Sequence, residues 1–167
     1  MKKLLYAEEQ IMDIWWMRLI FLFPSLLIWS ILVFQILTGT SDTSNFTLVA
    51  IGVLTLGLTL LMWNSRLKTD YYEDKIVFRF WPFHLKEKEI LWSEVKAIKV
   101  VKYSPLRDYG GWGIRIGVKG NAFNVKGNLG GLLEMKTGRS TLFSTQEPKA
   151  VYEALKALKM PVTYEIE

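Results

Sequence analysis

Residues 15–37 read WWMRLIFLFPSLLIWSILVFQIL, and residues 46–63 read FTLVAIGVLTLGLTLLMW. Arg18 alone interrupts the first run, and no charge interrupts the second. A helix rises about 1.5 Å per residue, so roughly 20 apolar residues cross a hydrocarbon core about 30 Å thick. Both runs meet that requirement. The expected architecture is a two-helix transmembrane hairpin, with spans at 15–37 and 46–63 joined by a short extracytoplasmic loop at 38–45. An N-terminal segment, 1–14, precedes it, and a domain of about a hundred residues, 64–167, follows.

Charge orients that hairpin. Lys2, Lys3 and Arg18 flank the first run, and Arg66, Lys68 and Lys75 follow the second, whereas 38–45 holds Asp42 and neither Lys nor Arg. Basic residues stay on the cytoplasmic side, so both termini and the domain are expected there. The net charge of +5 is uneven: 18 Lys and Arg against 12 Asp and Glu from Asn64 onward, and 3 against 4 before it. A basic domain beside a bilayer suits anionic lipid, and no arginine-rich tract or nucleic-acid motif points to nucleic acid. The chain has no cysteine. That excludes disulfides, thiolate metal sites and cysteine nucleophiles, and suits a reducing compartment. The first run is too long for a signal-peptide core and lacks a small-x-small cleavage site, so it reads as a retained anchor.

Apolar and acidic residues alternate from Leu4 to Asp13, which suggests a short interfacial helix leading into the first span. Trp15, Trp16 and Trp63 would then lie at the headgroup level, with Arg18 snorkelling to the same interface. In the second span Gly52, Thr55 and Thr59 share a face where small side chains allow close helix packing. Beyond Asn64 the period becomes two. Ile76, Phe78 and Phe80 alternate with Val77, Arg79 and Trp81, as Ile114, Ile116 and Val118 do with Arg115, Gly117 and Lys119. Further strands are expected at 67–72, 86–91, 95–103, 122–126, 132–136 and 140–144, separated by turn signals that include Ser104-Pro105 and Gly110-Gly111. Thr145 is an expected N-cap, with Val151, Leu155 and Leu158 on one face of a closing helix. The fold class is therefore mainly β: about seven antiparallel strands capped by a C-terminal helix.

The stretch Ile90-Leu91-Trp92-Ser93-Glu94-Val95, the run from Lys102 to Arg115 and the segments Ala122–Asn128 and Thr145–Pro148 resemble a group of uncharacterised bacterial membrane proteins. These carry a PH-like domain, of the pleckstrin-homology superfold. The resemblance covers roughly residues 64–160, and the glycine-tryptophan run is its distinctive part. It implies the PH-like fold and a bacterial inner-membrane setting, and no reaction. One departure is plain: lipid-binding domains of this superfold carry basic residues in an early strand turn, where this chain has Tyr72-Glu73-Asp74-Lys75.

Gly110, Gly111 and Gly113 admit torsions closed to other residues, which permits a tight turn folding Trp112 over the domain. The alternative is a loop whose amides, with Arg107 and Arg115, accept an anionic headgroup or a peptide carboxylate. Ligand-binding candidates are thus Arg107, Trp112 and Arg115. His84 reads as exposed decoration of a turn, and Glu87 and Glu89, beside Lys86 and Lys88, as a solvated strand edge. Trp81, Pro82 and Phe83 either pack in the core or form a strand tip that inserts at a membrane interface. No metal-ligand cluster, nucleophile elbow or cofactor fingerprint is present. The expectation is a non-enzymatic, membrane-anchored binding module for a protein partner or anionic lipid. The alternative is a structural or assembly subunit of a larger membrane complex; oligomeric state is not legible.

Overall fold

The computed structural model describes residues 3–40, 45–117, 120–158 and 160–166. Asp42 of the connector, and Val118 and Lys119 of an expected strand, lie outside the described residues. The chain divides into two compact units, one spanning 13–64 and the other combining the N-terminal residues up to Met12 with Ser65 onward.

The first unit is a pair of helices, α1 (Trp15–Thr38) and α2 (Asn45–Trp63), both long and apolar enough to cross a membrane. Gly39 ends α1 in the left-handed conformation, its N–H directed at the carbonyls of Gln35 and Ile36. The small-residue face of α2 packs as expected. A β-carbon at Gly52 would lie 3.3 Å from Ile28 Cγ2 and from the Trp29 indole. Thr59 donates to the carbonyls of Thr55 (2.8 Å) and Phe21 (3.3 Å).

In the second unit, ten strands form two sheets among the described residues. The four-stranded sheet has the order β1 (Leu4–Ile11), β2 (Arg66–Tyr72), β3 (Lys75–Trp81), β4 (Lys88–Leu91), all antiparallel. The remaining strands are β5 (Val95–Lys102), β6 (Gly113–Gly117), β7 (Gly120–Asn124), β8 (Leu129–Met135), β9 (Ser140–Ser144) and β10 (Val162–Glu165). They form the order β10-β5-β8-β9-β7-β6, with β10–β5 and β7–β9 parallel. A short helix α3 (Pro105–Tyr109) follows β5, and α4 (Pro148–Lys156) follows β9.

β3 keeps the alternation read from sequence: Ile76, Phe78 and Phe80 are buried, and Trp81 is exposed. Phe78 joins the two sheets, its ring 4.8 Å from those of Phe123 and Phe143, which stack on each other at 5.3 Å. Val151 and Leu155 of α4 are fully buried and close this core, and α4 touches β1, β5, β8 and β10. Trp92 seals the β4–β5 junction, stacked on Tyr71 and donating from Nε1 to the Tyr72 carbonyl at 2.7 Å.

Five expectations change. Residues 4–11 are a strand, not an interfacial helix. Tyr6, Glu8 and Gln10 turn inward while Ala7, Glu9 and Ile11 face out, and β2 supplies the backbone partners. The domain thus begins before the helices, and residues 64–167 are only part of it. The seven-strand antiparallel expectation gives way to ten strands with two parallel pairings, and the terminal helix is followed by β10. The N-cap of α4 is Glu147; Thr145 sits two residues earlier, accepting from Glu147 N at 3.0 Å. Finally, Ile116 is 84% exposed instead of alternating inward, because β6 is the edge strand of its sheet.

Candidate functional site

The glycine-tryptophan run begins with a helix. Ser104 caps α3, its hydroxyl accepting from Arg107 N at 3.3 Å, while Asp108 Oδ2 accepts from Ser104 N at 2.7 Å. Pro105 occupies the first turn, where its missing N–H costs nothing. The expected Ser104-Pro105 turn is therefore a helix start. Gly110 ends α3 at φ 72°, with Gly110 N and Gly111 N closing on the carbonyls of Leu106 and Pro105. Gly111, at φ 129°, accepts from Asn124 Nδ2 at 3.2 Å. A β-carbon at Gly111 would come within 2.7 Å of Arg115 Nη2, so the guanidinium lies directly against this glycine. Local architecture accounts for Gly110 and Gly111.

Two clefts border α3, each lined by some of its residues. The larger, about 780 Å³, is lined by Lys102, Ser104, Arg107, Asn128, Tyr164 and Glu165. The smaller, about 480 Å³, is lined by Tyr109, Ile114, Arg115 and Gly117. The three ligand-binding candidates therefore do not converge. Arg107 faces the larger cleft, its side chain 85% exposed and its Nε 3.3 Å from Asp108 Oδ1. Arg115 lines the smaller one and is half-buried, and Trp112, also half-buried, lines neither. Tyr109, the last residue of α3, packs edge to face on Tyr103 at 5.8 Å, and burial raises both phenol pKa values.

The interfacial candidates do gather. Arg18 pairs with Asp13 at 2.9 Å and lies 4.7 Å from the centre of the Trp63 ring, while Trp15 and Trp16 are exposed.

Sequence reasoning missed a polar tie between the sheets. Glu8 accepts from Thr145 Oγ1 at 2.6 Å and from Gln146 N at 2.7 Å. Burial nevertheless dominates and raises the Glu8 pKa. His84 is half-buried, not decorative. It lies edge-on to Phe78 (5.9 Å) and Phe123 (5.6 Å), and its Nδ1 accepts from Phe80 N at 3.4 Å. Burial, then the charge of Lys88, lowers its pKa. Glu89 pairs with Lys75 at 2.6 Å across β3 and β4, whereas Glu87 precedes β4 and shares no strand with it. Among the described residues, no three His, Asp or Glu side chains gather as a metal site would need.

No family model matches the chain, and no curated protein or solved structure does so.

Proposed function

We propose that the chain is a membrane-anchored, non-enzymatic binding module. In this reading α1 and α2 span a bacterial inner membrane with both termini cytoplasmic, and the β unit is a PH-like domain. Its ligand is an anionic group, carried by a protein partner or a lipid. The length and hydropathy of the helices support the anchor. Two sheets around one aromatic core, closed by α4, support the domain, while β1, β10 and the two parallel pairings depart from seven antiparallel strands.

The observation that carries the binding assignment is the larger cleft, where exposed Lys102 and Arg107 stand beside the half-buried Ser104 cap. A flexible ammonium and a planar guanidinium flanking one opening suit a carboxylate or phosphate. Glu165, which lines the same cleft, breaks up a broad cationic surface and favours a small, oriented ligand.

A photo-crosslinking residue at position 128, which lines the same cleft and leaves both cations in place, tests this in the full-length protein in cells, with the exposed position 156 of α4 as the comparison. The expected result is a protein or lipid adduct at 128, absent at 156 and lost when Lys102→Ala is added. Equal adducts at both positions, or an adduct indifferent to Lys102→Ala, would overturn it.

A further inference from the structure

The tip between β3 and β4 carries an apolar surface that the core leaves unused. Trp81 is 41% exposed, Phe83 52% and Leu85 74%. These side chains are held outward by an ordered turn. His84 N donates to the Phe80 carbonyl at 2.7 Å, Arg79 Nε donates to the His84 carbonyl at 3.2 Å, and Phe83 packs on buried Phe80 at 5.8 Å. The Arg79 guanidinium lies over the Trp81 indole, 5.1 Å from its centre. Large apolar side chains fixed in solvent mark an interaction surface.

Register says where this tip lies within the sheet. Ile11 pairs with Arg66, and Arg66 pairs with Trp81, so the three form one row across β1, β2 and β3. That row is where the chain leaves the domain: α1 begins at Trp15 and α2 ends at Trp63. Four residues reach at most about 14 Å when fully extended, so the connecting chain tethers the start of α1 and the end of α2 within that length of the row. Glu73, at the other end of β2, lies about 23 Å away along the strand. Arg79, Lys86 and Lys88 flank the apolar residues against one carboxylate, Glu87, in the segment 79–88.

We infer that the tip formed by Trp81, Phe83 and Leu85 inserts into the headgroup region of the same bilayer that α1 and α2 cross. The inference rests on the spanning assignment proposed above and adds a third attachment. An indole with a guanidinium over its face, beside phenyl and leucyl side chains and lysines, matches the layered chemistry of that region. Apolar groups meet acyl chains, aromatic rings sit at the boundary, and cations meet lipid phosphates. A soluble partner would not require the surface to lie beside the two chain exits.

The chain has no cysteine, so single cysteines at Leu85, Phe83, Glu73 and Leu26 can each carry a nitroxide in the full-length protein. The labelled proteins are reconstituted in vesicles of phosphatidylcholine and phosphatidylglycerol. Collision with oxygen, which concentrates in lipid, is compared with collision with a water-soluble nickel chelate. Labels at Leu85 and Phe83 should show an oxygen-to-nickel ratio several-fold above that at Glu73 and below that of Leu26, at the middle of α1. Nickel access at Leu85 and Phe83 equal to that at Glu73, with Leu26 still in lipid, would overturn the tip and leave the spans standing. Nickel access at Leu26 as well would overturn the spans and the tip with them. Shielding of Leu85 and Phe83 from both reagents would mean that protein covers the tip, and would overturn the lipid assignment.

Discussion

Gln10 and Ser144 exchange two hydrogen bonds across 134 positions of sequence. Gln10 Nε2 donates to the Ser144 carbonyl at 2.6 Å, and Ser144 Oγ donates to Gln10 Oε1 at 2.8 Å. Both residues are buried, and Ser144 Oγ also accepts from Val125 N at 3.2 Å. The pair fastens β1 to β9, and so fastens the strand before the helices to the sheet after them.

Gln10→Ala leaves the Ser144 carbonyl and hydroxyl buried without these partners, which costs about 1–3 kcal/mol. The expected outcome is a lower melting midpoint for the full-length protein in mild detergent, followed by near-ultraviolet circular dichroism. Adding Ser144→Ala should cost less than the sum of the single changes, because the second removes a group the first has already orphaned. Strict additivity would show that the two bonds contribute independently.

Which parts of this fold were legible follows from what each side chain faces. β3 was readable because its inward residues Ile76, Phe78 and Phe80 are all apolar, while Lys75 and Arg79 mark the outward side and give the period of two. β1 was not, because its inward residues include Glu8 and Gln10, whose partners Ser144, Thr145 and Gln146 lie far along the chain. Its period-two pattern was inverted in polarity and resembled an amphipathic helix. α3 did have a signal, a serine cap followed by proline, which is also a turn signal. The candidates Arg107, Trp112 and Arg115 are close in sequence, yet the end of α3 and the start of β6 put Arg107 and Arg115 on two clefts and leave Trp112 lining neither. In the helix pair, by contrast, the small-residue face alone located the contact.

Adjacent glycines in β8 should respond differently to the same change. A β-carbon at Gly130 would stand 2.7 Å from the Phe143 carbonyl and 3.2 Å from Leu142 Cδ1, whereas at Gly131 it meets only Tyr71 OH at 3.9 Å. Gly130→Ala must push β8 from β9 and is expected to cost about 1–3 kcal/mol. Gly131→Ala should change stability by no more than about 0.5 kcal/mol, or raise it, since alanine restricts the unfolded chain. Thermal melts of the two variants provide the comparison.

His84 gives the domain an acid-sensitive component. Its folded-state pKa is lowered, by burial first and by Lys88 second, so the unfolded chain takes up the proton more readily. This contribution is whole above the unfolded value of about 6.5 and is lost as pH falls through the folded one. Glu8 has the opposite sense: its raised folded-state pKa gives a contribution lost as pH rises through it. Comparing the native chain with His84→Gln between about pH 7 and pH 5 cancels Glu8, which both retain. The native protein should lose more stability than the variant over that interval. Identical slopes would place His84 in water in the folded state.

The last prediction concerns the helix pair. Gly52 lets α2 approach Ile28 and Trp29 of α1, whereas a β-carbon at Gly57 would meet nothing within 4 Å. Gly52→Leu should therefore force the helices apart, and Gly57→Leu, on an open face, should not. Thr59 Oγ1 lies 3.3 Å from the Phe21 carbonyl, so cysteines at positions 21 and 59 are close enough for a short thiol crosslinker. In vesicles, crosslinking of that pair should be rapid in the otherwise native chain and in the Gly57→Leu background. With Gly52→Leu it should slow several-fold. Equal rates in all three would show that Gly52 does not set the helix separation.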